Sequence, residues 1–179
     1  MAKKKGKFRE EVLDIGCGLN PHGTVNIDCL KLPTVDKVVD VNRGLPFKSG
    51  SFDEVIMCHT LEHFDDFFFV MGEVWRVLKK GGIARISVPY FRHACAYEPN
   101  HKAFFTSYSF DTFEPGHHYN YYSKARFKVL KRKFFFNHLG WLLNPLIEHF
   151  DFFKRFYEES LSSLVPAWQI YFELGAIKR

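Results

Sequence analysis

Short apolar runs that end in glycine or aspartate recur along the first half of the chain. Val12–Ile15 runs into Gly16-Cys17-Gly18, residues 24–28 end on Asp28, and residues 37–40 end on Asp40. Phe52–Cys58 and 82–88 follow, the last stopped by Pro89. Runs of this length bounded by turn residues predict buried strands. Between the last two, Val70, Met71, Val74, Val77 and Leu78 recur at i, i+1, i+4, i+7 and i+8, one apolar stripe of a helix. Asp65 or Asp66 can cap its N-terminus, Lys79 and Lys80 suit its C-terminal dipole, and Gly81 can close it in a left-handed conformation. Strands alternating with loops and a helix predict an α/β fold with a mainly parallel sheet.

The pattern then changes. Residues 90–123 are rich in His, Tyr, Phe and Pro and read as loops, with a short helix after Thr106. Residues 126–129 alternate basic with apolar, a one-sided strand. Asn144-Pro145 suits a helix start, followed at helical spacing by Leu146, Ile147, Phe150, Phe153, Phe156 and Tyr157. Residues 168–177 alternate again and form a seventh strand. The first crossovers are short: nine residues separate Ile15 from Val25, and eight separate Asp28 from Lys37. A parallel crossover normally needs a dozen or more. The expectation is that the helices there have shrunk to single turns.

Composition narrows the picture. The 179 residues, 46% apolar and 25% charged, suit a globular chain of one domain. The division expected is a basic tail at 1–11 and a single domain at 12–179, with a variable acceptor or lid region at about 90–166. No apolar run approaches a membrane span, and the N-terminus lacks the apolar core of a signal peptide, so a cytoplasmic protein is expected. The net charge of +5 resides in the tail, where Lys3, Lys4, Lys5, Lys7 and Arg9 supply five positive charges. A second basic run, Lys124 to Lys133, has no acid between Glu114 and Glu148. A solvated face is its ordinary meaning, and RNA is the less favoured one. Cys17, Cys29, Cys58 and Cys95 show no C-x-x-C spacing and read as free thiols. The 21 phenylalanines exceed what such a core normally uses. Those of the 144–157 helix suit core packing or a homodimer seam.

The chemistry sits at the strand ends. Asp14-Ile15-Gly16-Cys17-Gly18 brings a carboxylate and then a glycine turn that lets backbone approach a ligand. Asp28 stands where an acid can accept hydrogen bonds from ribose hydroxyls. Asp40-Val41 ends the third strand, and Leu45-Pro46-Phe47 and Ser51-Phe52-Asp53 follow. His59-Thr60-Leu61-Glu62-His63 follows the fourth. Together these residues resemble the class I S-adenosylmethionine-dependent methyltransferases, in particular the small type 11 group, over about 12–88. The resemblance implies a Rossmann-like, mainly parallel seven-stranded sheet and S-adenosylmethionine as cofactor. It implies that Asp14, Gly16, Cys17 and Gly18 cradle the methionine part, that Asp28 binds ribose, that Asp40 and Val41 lie near adenine, and that Cys58 and His59 pass the cofactor. Asn20 stands at the family's third glycine, and no helices precede the first strand.

His59-x-x-Glu62-His63 also fits a zinc-protease pattern, H-x-x-E-H. No third ligand is evident from spacing, so no metal is expected. Methyl transfer mainly requires alignment, with a base where the acceptor is a hydroxyl. Among His93, His101, His117 and His118, His93 ranks first as catalytic residue because it leaves the carboxyl end of a strand. The reading is a methyltransferase acting on a small-molecule or glycan-like acceptor. The alternatives are an RNA methyltransferase and a non-catalytic cofactor-binding or scaffold protein of the same fold. An NAD-dependent oxidoreductase fits less well, since 16–21 read Gly-Cys-Gly-Leu-Asn-Pro.

Overall fold

The computed structural model describes residues 10–136, 142, 145, 147 and 150–178. The basic residues of the tail at 1–9, the Asn144 cap and Leu146 lie outside them. Seven strands form one sheet: β1 (Val12–Ile15), β2 (Val25–Asp28), β3 (Lys37–Val38), β4 (Phe52–Cys58), β5 (Leu78–Pro89), β6 (Phe127–Phe136) and β7 (Ala167–Ala176). Their order is β3-β2-β1-β4-β5-β7-β6. The first five run parallel, and β7 runs antiparallel to both its neighbours. This is the mainly parallel, Rossmann-like sheet expected. The short crossovers hold no helix between β1 and β2 or between β2 and β3, and only a 3-10 turn, Val41–Arg43, before β4.

The helix α1 (Phe67–Val77) crosses from β4 to β5. Asp66 is its cap, accepting from Phe69 N at 2.9 Å, while Asp65 pairs with Lys102. Val70, Met71, Val74 and Val77 are fully buried along its predicted stripe. The expected C-terminus is corrected. The helix stops at Val77, and Leu78 is already extended and paired with Phe52. Lys79 turns to Asp53 at 2.7 Å, and Gly81, at φ +75°, belongs to an excursion within β5 before Ile83 re-pairs with Glu54. The cation at the helix end is Lys178, whose Nζ donates to the carbonyls of Arg76 (3.0 Å) and Leu78. It satisfies acceptors that the last turn leaves open.

Register separates the sheet into two unlike faces. Leu13, Ile15, Ile27, Val55, Met57, Ala84, Ile86, Val88, Ile170, Phe172 and Leu174 are all fully buried on the face that α1 covers. Of the intervening positions, Glu54, Ile56, Arg85, Ser87, Tyr171 and Glu173 are only half-buried, while Asp14 is buried. Much of the phenylalanine completes the covered face. Segment 90–126 contains only 3-10 turns and isolated bonds, yet it lays Phe105, Phe110 and Phe113 against Phe67 of α1, with ring centroids 5.5–5.9 Å apart. Phe110 also meets Phe172 at 4.6 Å. Large rings let an irregular segment fill space that a helix would otherwise occupy.

The basic run proves to be an edge. β6 is the outermost strand, and Lys128 and Lys131 on it are exposed, the charges that keep an edge from pairing with other chains. Arg132, uncompensated in sequence, is paired in space with Asp111. The Phe-rich segment departs from core packing. In the short helix α2 (Asp151–Phe156), Phe152, Phe153 and Phe156 are exposed, as is Phe150, while the buried aromatic is Tyr157 in the π-helical turn that follows. No helix among the described residues is long and apolar enough to cross a membrane.

Candidate functional site

A cavity of about 510 Å³ opens at the carboxyl ends of β1, β2, β3 and β4. Open α/β sheets place ligands there, and the volume lies in the roughly 300–1,000 Å³ range of small-molecule sites. Gly16, Asp28, Asp40, Val41 and His59, five of the sequence-predicted residues, line it.

The glycine loop explains itself atom by atom. Gly16 has φ +70°, and a Cβ there would lie 2.3 Å from Thr60 Cγ2. Only glycine lets β1 turn beneath Thr60 in the loop after β4. Gly18, at φ +51°, donates its N–H to Asp28 Oδ2 at 3.0 Å. The other Asp28 oxygen accepts from Leu30 N at 2.9 Å. Each carboxylate oxygen retains acceptor capacity, so the loops hold Asp28 in place without saturating it.

Asp14, Cys17, Gly18 and Cys58 do not line the cavity. Asp14 is buried and accepts from His22 N at 2.8 Å, which ties the loop back to β1. Burial pushes its carboxyl above the ordinary range. Cys17 is buried beneath the loop. Cys58 ends β4 on the half-covered face. All four cysteines are free thiols, each pushed up by desolvation, which argues against a nucleophilic thiolate.

Asp40 caps the 3-10 turn that carries Val41, accepting from Asn42 N at 3.1 Å. Val41 is buried in the cavity wall. His59 has φ +50°, the one non-glycine residue with positive φ among those described. Its Nε2 lies 2.7 Å from Gln169 Oε1, its Nδ1 3.5 Å from Glu62 Oε1, and its ring stacks on Trp168. Glu62 and then Gln169 raise its pKa against the opposing effect of burial. Backbone strain of this kind recurs at functional sites.

His93 is placed elsewhere. It is the N-cap of the 3-10 turn Ala94–Tyr97; its Nδ1 accepts from Cys95 N at 3.2 Å and lies 2.9 Å from Cys95 Sγ. It is not part of the cavity wall. His63, from the His59–His63 motif, also lines the cavity, and the lining residues not assigned from sequence are Ile15, Cys29, Leu30, Val39, Asn42, Thr60, Phe64, Asn100 and Lys102. Those next to a predicted residue could have been found by walking along each loop. Asn100 and Lys102 could not, because they arrive from the irregular segment some forty positions beyond β4.

Comparison with known proteins agrees with this geometry. Residues 20–86 match the family model described as a methyltransferase domain, type 11. That stretch is similar to the type 11 methyltransferase domain, and the chain as a whole shares the fold of S-adenosylmethionine-dependent methyltransferases. The match begins at Asn20, so the glycine loop before it is assigned by its geometry alone. Among solved structures, an S-adenosylmethionine-dependent methyltransferase from Archaeoglobus fulgidus shares 18% identity at a TM-score of 0.61, covering 95% of this chain and 87% of that one. The YcgJ protein of Bacillus subtilis shares 15% at 0.58, covering 95% and 92%. The [4+2]-cyclase SpnF shares 13% at 0.59, covering 95% and 75%. These likenesses establish the fold, and the last shows that the fold also houses other chemistry. No curated protein matches the chain.

S-adenosylmethionine is the cofactor this family and fold imply. The residues present fit it. The cavity combines a carboxylate with spare acceptor capacity at the end of β2, a second acid and an apolar wall after β3, and a glycine whose missing Cβ keeps the loop low.

Proposed function

We propose that this methyltransferase-fold protein transfers a methyl group from S-adenosylmethionine to a small-molecule or glycan-like acceptor. The observation that carries this reading is the convergence of Gly16, Asp28, Asp40, Val41 and His59 on one cavity. When bound, the cofactor supplies a methyl group on a positively charged sulfur. Asp28 accepts from the ribose hydroxyls, Val41 packs against the base, and Asp40 accepts from its exocyclic amine. Gly16 gives the backbone close approach, with Gly18 holding Asp28 in place and Asp14 holding the loop. Asn100 and Lys102 bring the irregular segment to the mouth of the cavity, where it helps exclude water and seat the acceptor.

His59 orients the acceptor, because it is the imidazole that the fold holds in the wall on three sides. His93 acts as a turn cap. Alignment rather than group activation is the main demand of such a displacement. The test is transfer of radiolabelled methyl from the donor to pools of small metabolites and oligosaccharides. Asp28→Ala is expected to abolish labelling and His59→Ala to lower it more than His93→Ala does. A larger loss for His93→Ala would reverse the two roles. Labelling of RNA alone would overturn the acceptor class.

A further inference from the structure

Glu62 is 1% exposed, and neither of its carboxylate oxygens accepts a hydrogen bond. His59 Nδ1, 3.5 Å from Oε1, stands at the limit of contact. A buried carboxylate in this condition is strongly disfavoured unless a cation compensates it. The fold aims two imidazoles at it. His63 follows it in the 3-10 turn Leu61–His63, and His101 arrives from the irregular segment. That segment is pinned to the turn by the N–H groups of Lys102 and Ala103, which donate to the Glu62 carbonyl at 2.7 and 3.3 Å.

One donor atom from each of Glu62, His63 and His101 lies within 4.8 Å of the others. The two rings meet at 4.8 Å and 70°. His63 Nδ1 lies 3.3 Å from the carbonyl oxygen of Asn100, and His101 Nδ1 lies 3.3 Å from that of Ala96. A carbonyl can only accept, so each Nδ1 carries the proton and each Nε2 presents a lone pair. An imidazole anchored to a backbone carbonyl through one nitrogen, with the other free to ligate, is the usual arrangement of a metal-binding histidine.

We propose that Glu62, His63 and His101 form a mononuclear site for a divalent transition metal of the zinc class. Two imidazole nitrogens and a carboxylate oxygen at roughly 2.0–2.2 Å make up three ligands of a tetrahedral site. The donors draw together by about 1 Å to reach it. The fourth position stays open for water or an oxygen of the acceptor, on the side where His63 meets the cofactor cavity. This revises the expectation of no metal. Spacing in H-x-x-E-H nominates His59, but His59 is committed to Gln169 and Trp168, and the third ligand lies 38 positions beyond His63.

The test is cobalt(II) titration of the chelator-treated full chain, followed by visible absorption. One cobalt per chain with ligand-field bands, displaced by zinc, is expected. His101→Ala and Glu62→Gln should each weaken binding by about 100-fold or more, beyond the penalty of losing an outer partner. His101 does not line the cofactor cavity, so His101→Ala should keep its far-UV dichroism and its binding of S-adenosylhomocysteine. Absence of saturable cobalt binding, or equal affinity in wild type and His101→Ala, would overturn the site. If cobalt behaves as expected while no S-adenosylhomocysteine binds wild type, the metal site stands and the proposed transfer reaction falls.

Discussion

The two faces of the sheet solve the same problem in opposite ways. Parallel strands are normally buried on both sides and read as continuous apolar runs. Here one face is covered by α1 and by rings from segment 90–126, and its residues are fully buried. On the other, Arg85 reaches Glu54 at 2.8 Å and Glu173 at 2.7 Å, and Tyr171 donates to the same Glu173 at 2.8 Å. The crossovers that would carry helices to that face are too short to hold them. Polar alternation on central parallel strands suits a face on which the described residues lay no helix from these crossovers. The lesson is that the cofactor end of this fold depends on strand ends and one covered face.

The sharpest way to break this comparison uses adjacent residues of β4. Val55 is fully buried on the covered face, and Ile56 is half-buried on the other. Val55→Lys should cost about 4 kcal/mol or more, as an unpaired charge in the core does, whereas Ile56→Lys should cost about 1 kcal/mol. Urea melts of the two variants decide it, and equal losses would mean that both faces are packed.

A smaller effect comes from the anchor of α1 on the covered face. Glu73 accepts from Leu45 N at 2.7 Å and from Arg76 at 2.6 and 2.7 Å. The Arg76 guanidinium, with help from Leu45 N–H, holds its carboxyl below the ordinary value of 4.5. A depressed pKa contributes stability that is full above the ordinary value and lost as pH falls through the folded one. Glu73→Gln should therefore destabilise by about 1–2 kcal/mol at neutral pH, with the gap to wild type closing in acid. A gap that does not change with pH would point to packing instead.

The smallest effect is expected on the uncovered face. Arg85→Met should cost about 1 kcal/mol or less, since its partners are partly solvated, and the cost should shrink as salt is added. A salt-independent loss of several kcal/mol would show that the network is structural core. Thermal melts at two ionic strengths distinguish these outcomes.

Much of the architecture was legible because it is local. Strand ends at Asp28, the stripe from Val70 to Val77 and the alternation at 168–177 each follow from spacing within a few residues. What escaped was long-range. Lys178, not Lys79, serves the end of α1, although about a hundred positions separate them. The 82–88 strand began earlier because Leu78 found Phe52 across the sheet. At the site, the positions of Asp28 and Gly16 at the cavity follow from their strand ends, but Asn100 and Lys102 reach it through an irregular chain without periodicity. His93 looked catalytic from its place after β5, and only the structure shows its ring engaged with Cys95.

The central claim is that the carboxyl ends of β1, β2 and β3 bind an adenosyl cofactor. Calorimetric titration of S-adenosylhomocysteine into the wild-type chain and into Asp28→Ala tests it most directly. One-to-one binding by the wild type, weakened at least tenfold in Asp28→Ala, is the expected result. No heat of binding at saturating ligand, or an affinity that ignores Asp28, would contradict it.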